Sequence, residues 1–203
     1  MMNIGIDVDE VLAELLEAFL EYHNYTYGTK YTKKDMFSYS FHKVLGGTEE
    51  ESKQKVLDFF TTDFLNNTGL VAGAKEGIAS LAKEHRLSII TARSEMIRQQ
   101  TEQLIARHFP NYFSTVAFTN QWHGNGKIRR KSEICAEENI SIMIDDSLAH
   151  AMDCASQGVY VLLADFGYPW NQTAKLLENI KRVHSWKEII EEVAEYEKRK
   201  SGR

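Results

Sequence analysis

Asn3-Ile4-Gly5-Ile6-Asp7-Val8-Asp9-Glu10-Val11 is the stretch on which the fold turns. A short run of apolar and small residues leads straight into two carboxylates spaced two apart. Such a run, ended by acids, reads as a strand buried on both faces, as in a parallel sheet covered by helices. In extended backbone, side chains two apart point the same way, so Asp7 and Asp9 project together beyond the strand. Two carboxylates held that close repel each other, and a cation or a shared proton must offset the repulsion. Mg²⁺, a hard ion that prefers oxygen ligands, is the natural cation. The competing reading makes Asp9 a simple N-cap of the next helix.

Four more runs of the same kind lie downstream: Leu87–Ile90, Thr115–Phe118, Ser141–Ile144 and Val159–Leu163. Helical periodicity separates them. It is carried by Val11, Leu12, Leu15, Leu16, Phe19 and Leu20, then by Ile78, Leu81 and Ala82, then by Ile97, Leu104, Ile105 and Phe109, and finally by Ile134 and Cys135. Strands alternating with helices predict a Rossmann-like open α/β sheet. From Glu14 to Val71 no buried strand is evident, and 11 of the chain's 22 aromatic residues fall between Phe19 and Phe64. That concentration predicts a small helical cap over residues 14–71, inserted after the first strand, with residues 1–13 and 72–203 forming the core. Most of these aromatics are expected to fill the cap's own interior. Near the end, Ser185 and Glu188 fit a capping box ahead of Ile189, Ile190 and Val193, and the basic tail from Lys198 is expected to fray.

A second acid pair, Asp145-Asp146, follows the fourth apolar run. In an open parallel sheet, ligands bind outside the carboxyl ends of the strands. Four converging carboxylates make sense there around a divalent ion, although helix capping is again the alternative. Thr91-Ala92-Arg93 follows the second run, where a hydroxyl and backbone N–H groups suit phosphate oxygens. Arg93 either reaches a substrate or lies on the surface. Lys131 is the first choice for a fixed cation over the strand ends, with Lys127 second. Trp122 and His123, after the third run, are candidates for the pocket mouth.

Bulk properties narrow the function. The chain has 203 residues and a net charge of −5, without the broad basic field that a nucleic-acid polymer requires. Cys135 and Cys154 form no C-x-x-C pair and read as buried reduced thiols of a cytoplasmic protein. Neither a signal peptide nor a membrane-spanning run is evident. The seven histidines show no zinc-site spacing. The sequence does not fix an oligomeric state; a homodimer is one state it admits.

The motifs in this order resemble the haloacid dehalogenase (HAD) superfamily of phosphatases. Asp7-Val8-Asp9-Glu10-Val11 resembles D-x-D-x-[TV], Thr91 the second motif, Lys131 the third, and Asp145-Asp146 the acidic fourth. Val11-Leu12-Ala13 and Tyr168-Pro169-Trp170-Asn171 resemble the 5′(3′)-deoxyribonucleotidase-like family, though Glu10 stands where many members have Gly. The resemblance implies that Asp7 is a nucleophile forming an aspartyl-phosphate. Asp9 would be the general acid and base, its pKa raised by acidic neighbours. Asp7, the backbone carbonyl of Asp9, and Asp145 would bind Mg²⁺, with Asp146 orienting the metal shell. Thr91, Ala92 and Lys131 would hold the phosphoryl oxygens. Phe19, Phe37 and Phe41 would stack on the base of a nucleoside monophosphate, at about 1–3 kcal/mol per base. Two alternatives stand beside this one: a HAD phosphatase for another small phosphate such as a sugar phosphate, and a non-catalytic binder of phosphorylated metabolites.

Overall fold

The computed structural model describes residues 1–121, 127–171 and 175–202. Trp122 and His123 fall outside the described residues. Six strands form one parallel sheet: β1 (Asn3–Ile6), β2 (Arg86–Thr91), β3 (Phe113–Phe118), β4 (Ile142–Asp145), β5 (Tyr160–Ala164) and β6 (Ile180–Val183). Their spatial order is β3-β2-β1-β4-β5-β6. β6 is not evident in the sequence. It lies at an edge, and its two middle residues, Lys181 and Arg182, leave only Ile180 and Val183 buried. β3, the other edge, is a correction as well. It was expected to be buried on both faces, yet only Phe118 is fully buried.

The registers Ile4↔Leu87 and Ile4↔Ile142 align the apolar rows. Ile4, Ile6, Leu87, Ile89, Ile142 and Ile144 point to one face. There they meet the helices α5 (Ala74–Leu81), α6 (Arg98–His108) and α9 (Trp186–Ser201). Ile90, Met143, Val161 and Leu163 point to the other face, toward α7 (Lys131–Glu137) and α8 (Leu148–Ser156). Cys135 and Cys154 sit in this second layer, buried and free. Gly5 is required in the central strand: a Cβ there would lie 2.8 Å from Met143 Sδ and 2.9 Å from Ile90 Cδ1. The order reverses between β1 and β4, which opens a crevice at their carboxyl ends.

Between β1 and α5 lie α1 (Leu15–Tyr27), α2 (His42–Leu45), α3 (Glu49–Phe59) and α4 (Asp63–Asn66). Their side chains form a separate apolar cluster around Phe19, Tyr22, Val56 and Phe59, joined by Ile97 and Tyr168. The helical period read from Val11 begins later, at Leu15. Val11 and Leu12 belong to a turn closed by Leu12 N–H and Ala13 N–H donating to the Val8 carbonyl, both at 2.9 Å. α1 stops at Gly28, whose φ of 66° is left-handed. Chain entry and exit for this segment run side by side. Glu14 N–H donates to Gly69 O at 3.0 Å, Val71 N–H donates to Leu12 O at 3.0 Å, and Ala13 bridges Leu70.

α9 is anchored at its start. Ser185 Oγ accepts the Glu188 N–H at 3.2 Å, while the Glu188 carboxylate takes the His184 N–H at 2.9 Å, one residue earlier than a capping box predicts. Trp186 Nε1 donates to Val11 O at 2.9 Å, and its ring occupies the space beside Gly77, where a Cβ would lie 2.2 Å away. The basic run expected to fray continues the helix to Ser201. Among the described residues no helix is long and apolar enough to cross a membrane.

Candidate active site

β1 and β4 are neighbours, so the acids that follow them meet at the crevice. Asp7 N–H donates to Ile144 O at 2.9 Å, extending the ladder by one residue. Oxygens of Asp7, Asp145 and Asp146 lie within 4.8 Å of one another, all three residues being buried. Lys131, the first residue of α7, reaches over the strand ends and is itself fully buried. Its Nζ lies 2.8 Å from Asp7 Oδ2 and 2.7 Å from Asp145 Oδ2. Lys127 is on the surface.

Asp7 and Asp145 share the Lys131 ammonium, while Asp146 meets the Tyr39 hydroxyl, and their protonation divides accordingly. Burial raises Asp7 to about 6, against the pull of Lys131. Burial also opposes ionisation of Asp145, but Lys131, with His150 behind it, holds that group well below the usual carboxylate range. Asp146 is driven well above its ordinary value by burial and by the charges of Asp145 and Asp7. Lys131 is raised, because the two carboxylates overcome its own burial. A further positive charge among these oxygens would let all three acids ionise.

The capping alternatives can now be assigned. Glu10, not Asp9, serves α1: its Oε1 accepts the Leu16 N–H at 2.6 Å. Asp145 Oδ1 accepts the Ser147 N–H at 2.9 Å, turning the chain into α8. After β2 it is Ser94 that caps the following turn, accepting the Met96 N–H at 3.2 Å. Thr91, fully buried at the end of β2, takes the Arg93 N–H on Oγ1 at 3.2 Å.

Arg93 does not lie on the surface, one of the two places expected for it. It is 1% exposed, and its guanidinium grips the Asp9 carboxylate, Nη2 to Oδ1 at 2.7 Å and Nε to both oxygens at 3.0 and 3.1 Å. Its Nη1 donates to Thr101 Oγ1 at 2.9 Å. The charge in direct contact with Asp9 is therefore a cation, in addition to the acidic neighbours Asp7 and Glu10.

Glu10 has φ 57°, a left-handed value that explains why Gly suits this position. Here a side chain is accommodated, and its second oxygen accepts a hydrogen bond from the Tyr168 hydroxyl. Burial raises the Glu10 carboxyl to about 7.

Over the acids opens a cavity of about 540 Å³. Asp7, Asp9, Ala92 and Asp146 form its floor, and Leu15, Leu16, Phe19, Phe37 and Phe41 its apolar wall. Phe19 and Phe41 stack on each other with centroids 5.0 Å apart, and Phe37 is 61% exposed at the rim. Tyr39, from the segment before α2, donates its hydroxyl to Asp146 and packs on Trp170 at 4.8 Å. Trp170 in turn stacks on Tyr168 at 4.6 Å, and Asn171 Nδ2 donates to Asp146 O at 2.6 Å. Tyr39 and His150, whose Nδ1 lies 3.6 Å from Asp145 Oδ1, are absent from the sequence-based site. For His150 the signal is its place one helical turn beyond Asp146; for Tyr39 no local pattern exists.

The model of the family described as 5′ nucleotidase, deoxy (pyrimidine), cytosolic type C protein matches residues 1–196. A Bacillus subtilis (strain 168) protein, YqfW, provisionally named a nucleotidase, is 28% identical over 200 residues, 94% of this chain and 93% of that protein. A phosphatase from Clostridium acetobutylicum, assigned as such by prediction, shares the fold with a TM-score of 0.69 at 16% identity, covering 96% of this chain and 98% of that one. A Bacillus subtilis protein, YfnB, assigned as a HAD hydrolase and solved bound to magnesium, superposes with a TM-score of 0.63 at 14% identity, over 93% and 96% of the two chains.

Proposed function

The chain belongs to the 5′ nucleotidase, deoxy (pyrimidine), cytosolic type C family and is a phosphatase of the HAD superfamily; on that premise we propose that it hydrolyses nucleoside or deoxynucleoside monophosphates through a phosphorylated Asp7. One observation carries this reading: three buried carboxylates and Lys131 converge at the β1/β4 crevice, beneath an aromatic-walled cavity of about 540 Å³.

A divalent ion fits this donor set, which is all oxygen, buried and short of positive charge. Asp7, the Asp9 carbonyl and Asp145 would hold Mg²⁺, with Asp146 orienting the shell. When bound, the ion supplies charge neutralisation that lets an anionic phosphate approach an anionic nucleophile. In the first step an Asp7 oxygen attacks phosphorus, the ester P–O bond breaks, and Asp9 gives its proton to the departing alcohol oxygen. In the second, Asp9 takes a proton from water, which attacks phosphorus and releases Asp7 and inorganic phosphate. Arg93 fixes the Asp9 carboxylate beside the leaving oxygen. Thr91, the backbone at Ala92, and Lys131 hold the equatorial phosphoryl oxygens.

We read residues 14–71 as a cap on a core of residues 1–13 and 72–203, working in the cytoplasm. The apolar cluster built mainly from α1–α4 and the adjacent entry and exit segments support that division. Phe19, Phe41 and Phe37 give the cavity wall a surface suited to a planar base rather than a bare sugar. Phosphate release from nucleoside monophosphates, sugar phosphates and amino-acid phosphates, measured with Mg²⁺ and with chelator, tests the proposal. Turnover of sugar phosphates well above nucleotides rejects the substrate class; undiminished turnover in chelator rejects the ion.

A further inference from the structure

A second cluster of metal-ligating side chains lies at the opposite end of the sheet. Glu84 and His85 immediately precede β2, and Glu197 lies near the end of α9. One carboxylate oxygen of each glutamate and one ring nitrogen of His85 are within 4.8 Å of one another. His85 is 9% exposed, and its Nδ1 is buried without a hydrogen-bond partner among the described residues. A buried polar atom left unpaired is destabilising, so this imidazole is not explained as a satisfied core residue.

The donor chemistry differs from that of the active site. Asp7, Asp145 and Asp146 offer oxygen alone, which suits Mg²⁺. Imidazole nitrogen with two carboxylates, partly open to solvent, suits a borderline ion such as Zn²⁺, which takes three protein ligands and a water.

The location also gives such an ion something to hold. The buried residues of α9 are Trp186, Ile189 and Val193, all in its first half. Glu197 lies about 16 Å along the axis from Trp186, at about 1.5 Å per residue. Beyond Val193 the helix has only half-buried or exposed side chains, among them Tyr196, which stacks on Tyr160 at 4.6 Å. We propose that Glu84, His85 and Glu197 form a structural site for a divalent transition ion of the Zn²⁺ class, which pins the C-terminal half of α9 to the turn before β2.

The test uses full-length protein stripped with chelator and returned to excess Mg²⁺, so that the catalytic acids are already supplied. Zn²⁺ is titrated calorimetrically, and Co²⁺ is added in parallel for its visible absorption. The expected result is one Zn²⁺ per chain, an intense Co²⁺ spectrum indicating nitrogen in a low-coordinate shell, and added protection of the amides of residues 194–201 from exchange. His85→Asn and Glu197→Gln should each weaken Zn²⁺ binding at least ~10-fold, with Mg²⁺-supported phosphatase activity unchanged. Glu197 is only partly buried, so its substitution guards against a folding defect in the His85 variant. The proposal is overturned if no Zn²⁺ binds above the Mg²⁺ background. It is equally overturned if binding survives both substitutions, or is lost only with Asp145→Asn.

Discussion

Replacing Arg93 with Met should separate the two roles open to this arginine. Its guanidinium makes three contacts of 2.7–3.1 Å to Asp9 and one of 2.9 Å to Thr101. The Arg93 side chain is 1% exposed and that of Asp9 21%. Unit charges about 4 Å apart attract by about 4 kcal/mol at an effective dielectric of about 20. Removing one partner of a fully buried pair costs about 3–5 kcal/mol. Because Asp9 keeps some water, we expect about 2–3 kcal/mol from urea unfolding. A double-mutant cycle with Asp9→Asn should return about 2 kcal/mol of coupling. In kinetics, a loosened Asp9 should lower kcat about 10²-fold with little change in KM, since a small misplacement of a catalytic group is that costly. Arg93→Lys keeps the charge but loses the planar fork and should fall between. A raised KM with normal kcat would put Arg93 on the substrate instead, and coupling near zero would show that it does not hold Asp9; either result refutes the reasoning.

Asp7→Asn should abolish turnover while the protein stays folded, checked by phosphate release and circular dichroism; normal turnover would remove Asp7 from the nucleophile's role. Lys131→Met should cost about 3–5 kcal/mol, because it leaves two buried carboxylates facing each other, and a wild-type melting curve would contradict the ion pairs. Mg²⁺ at about 100 times its Kd should add about 2.7 kcal/mol of stability, and a melting temperature indifferent to Mg²⁺ would dismiss the acid cluster as a cation site. His23 packs between Phe19, Tyr27 and Tyr31, hydrogen-bonds Thr29 through Nδ1 at 2.9 Å, and is lowered by burial to about 4. Its unfolded value is about 6.5, so the unfolded chain takes up the proton first and stability falls as pH drops from about 6.5 toward 4. Asp7 and Glu10, raised to about 6 and about 7, act in the opposite sense. The readout is therefore the wild-type stability–pH profile minus that of His23→Gln, and a flat difference would refute the assignment.

The core was legible where burial writes a pattern. Strands covered on both faces leave unbroken apolar runs, so β1, β2, β4 and β5 stand out. At the edges the pattern fails: Lys181 and Arg182 interrupt β6, and β3 is half exposed, because an edge strand has fewer neighbours to bury it. Val11 and Leu12 keep helical spacing yet belong to a turn, since periodicity cannot tell a buried turn from a buried helix. The acids of the site were visible because each ends a strand. The partner of Asp9 was not, because the Arg93 contact depends on a side-chain direction that spacing does not encode. Tyr39 meets Asp146 from 107 residues away, and no local rule spans that separation.

Because Glu14 pairs with Gly69 and Val71 with Leu12, the helical insert leaves the sheet and returns to it through a single doorway. A module joined in this way is topologically a cassette. On the proposed division, a short turn or the insert of a relative could replace it without rethreading the sheet, provided that Ile97 and Tyr168, which pack into its cluster, are covered again. On the proposed reading, selectivity would travel with the insert, and the Tyr39 contact to Asp146 would travel with it.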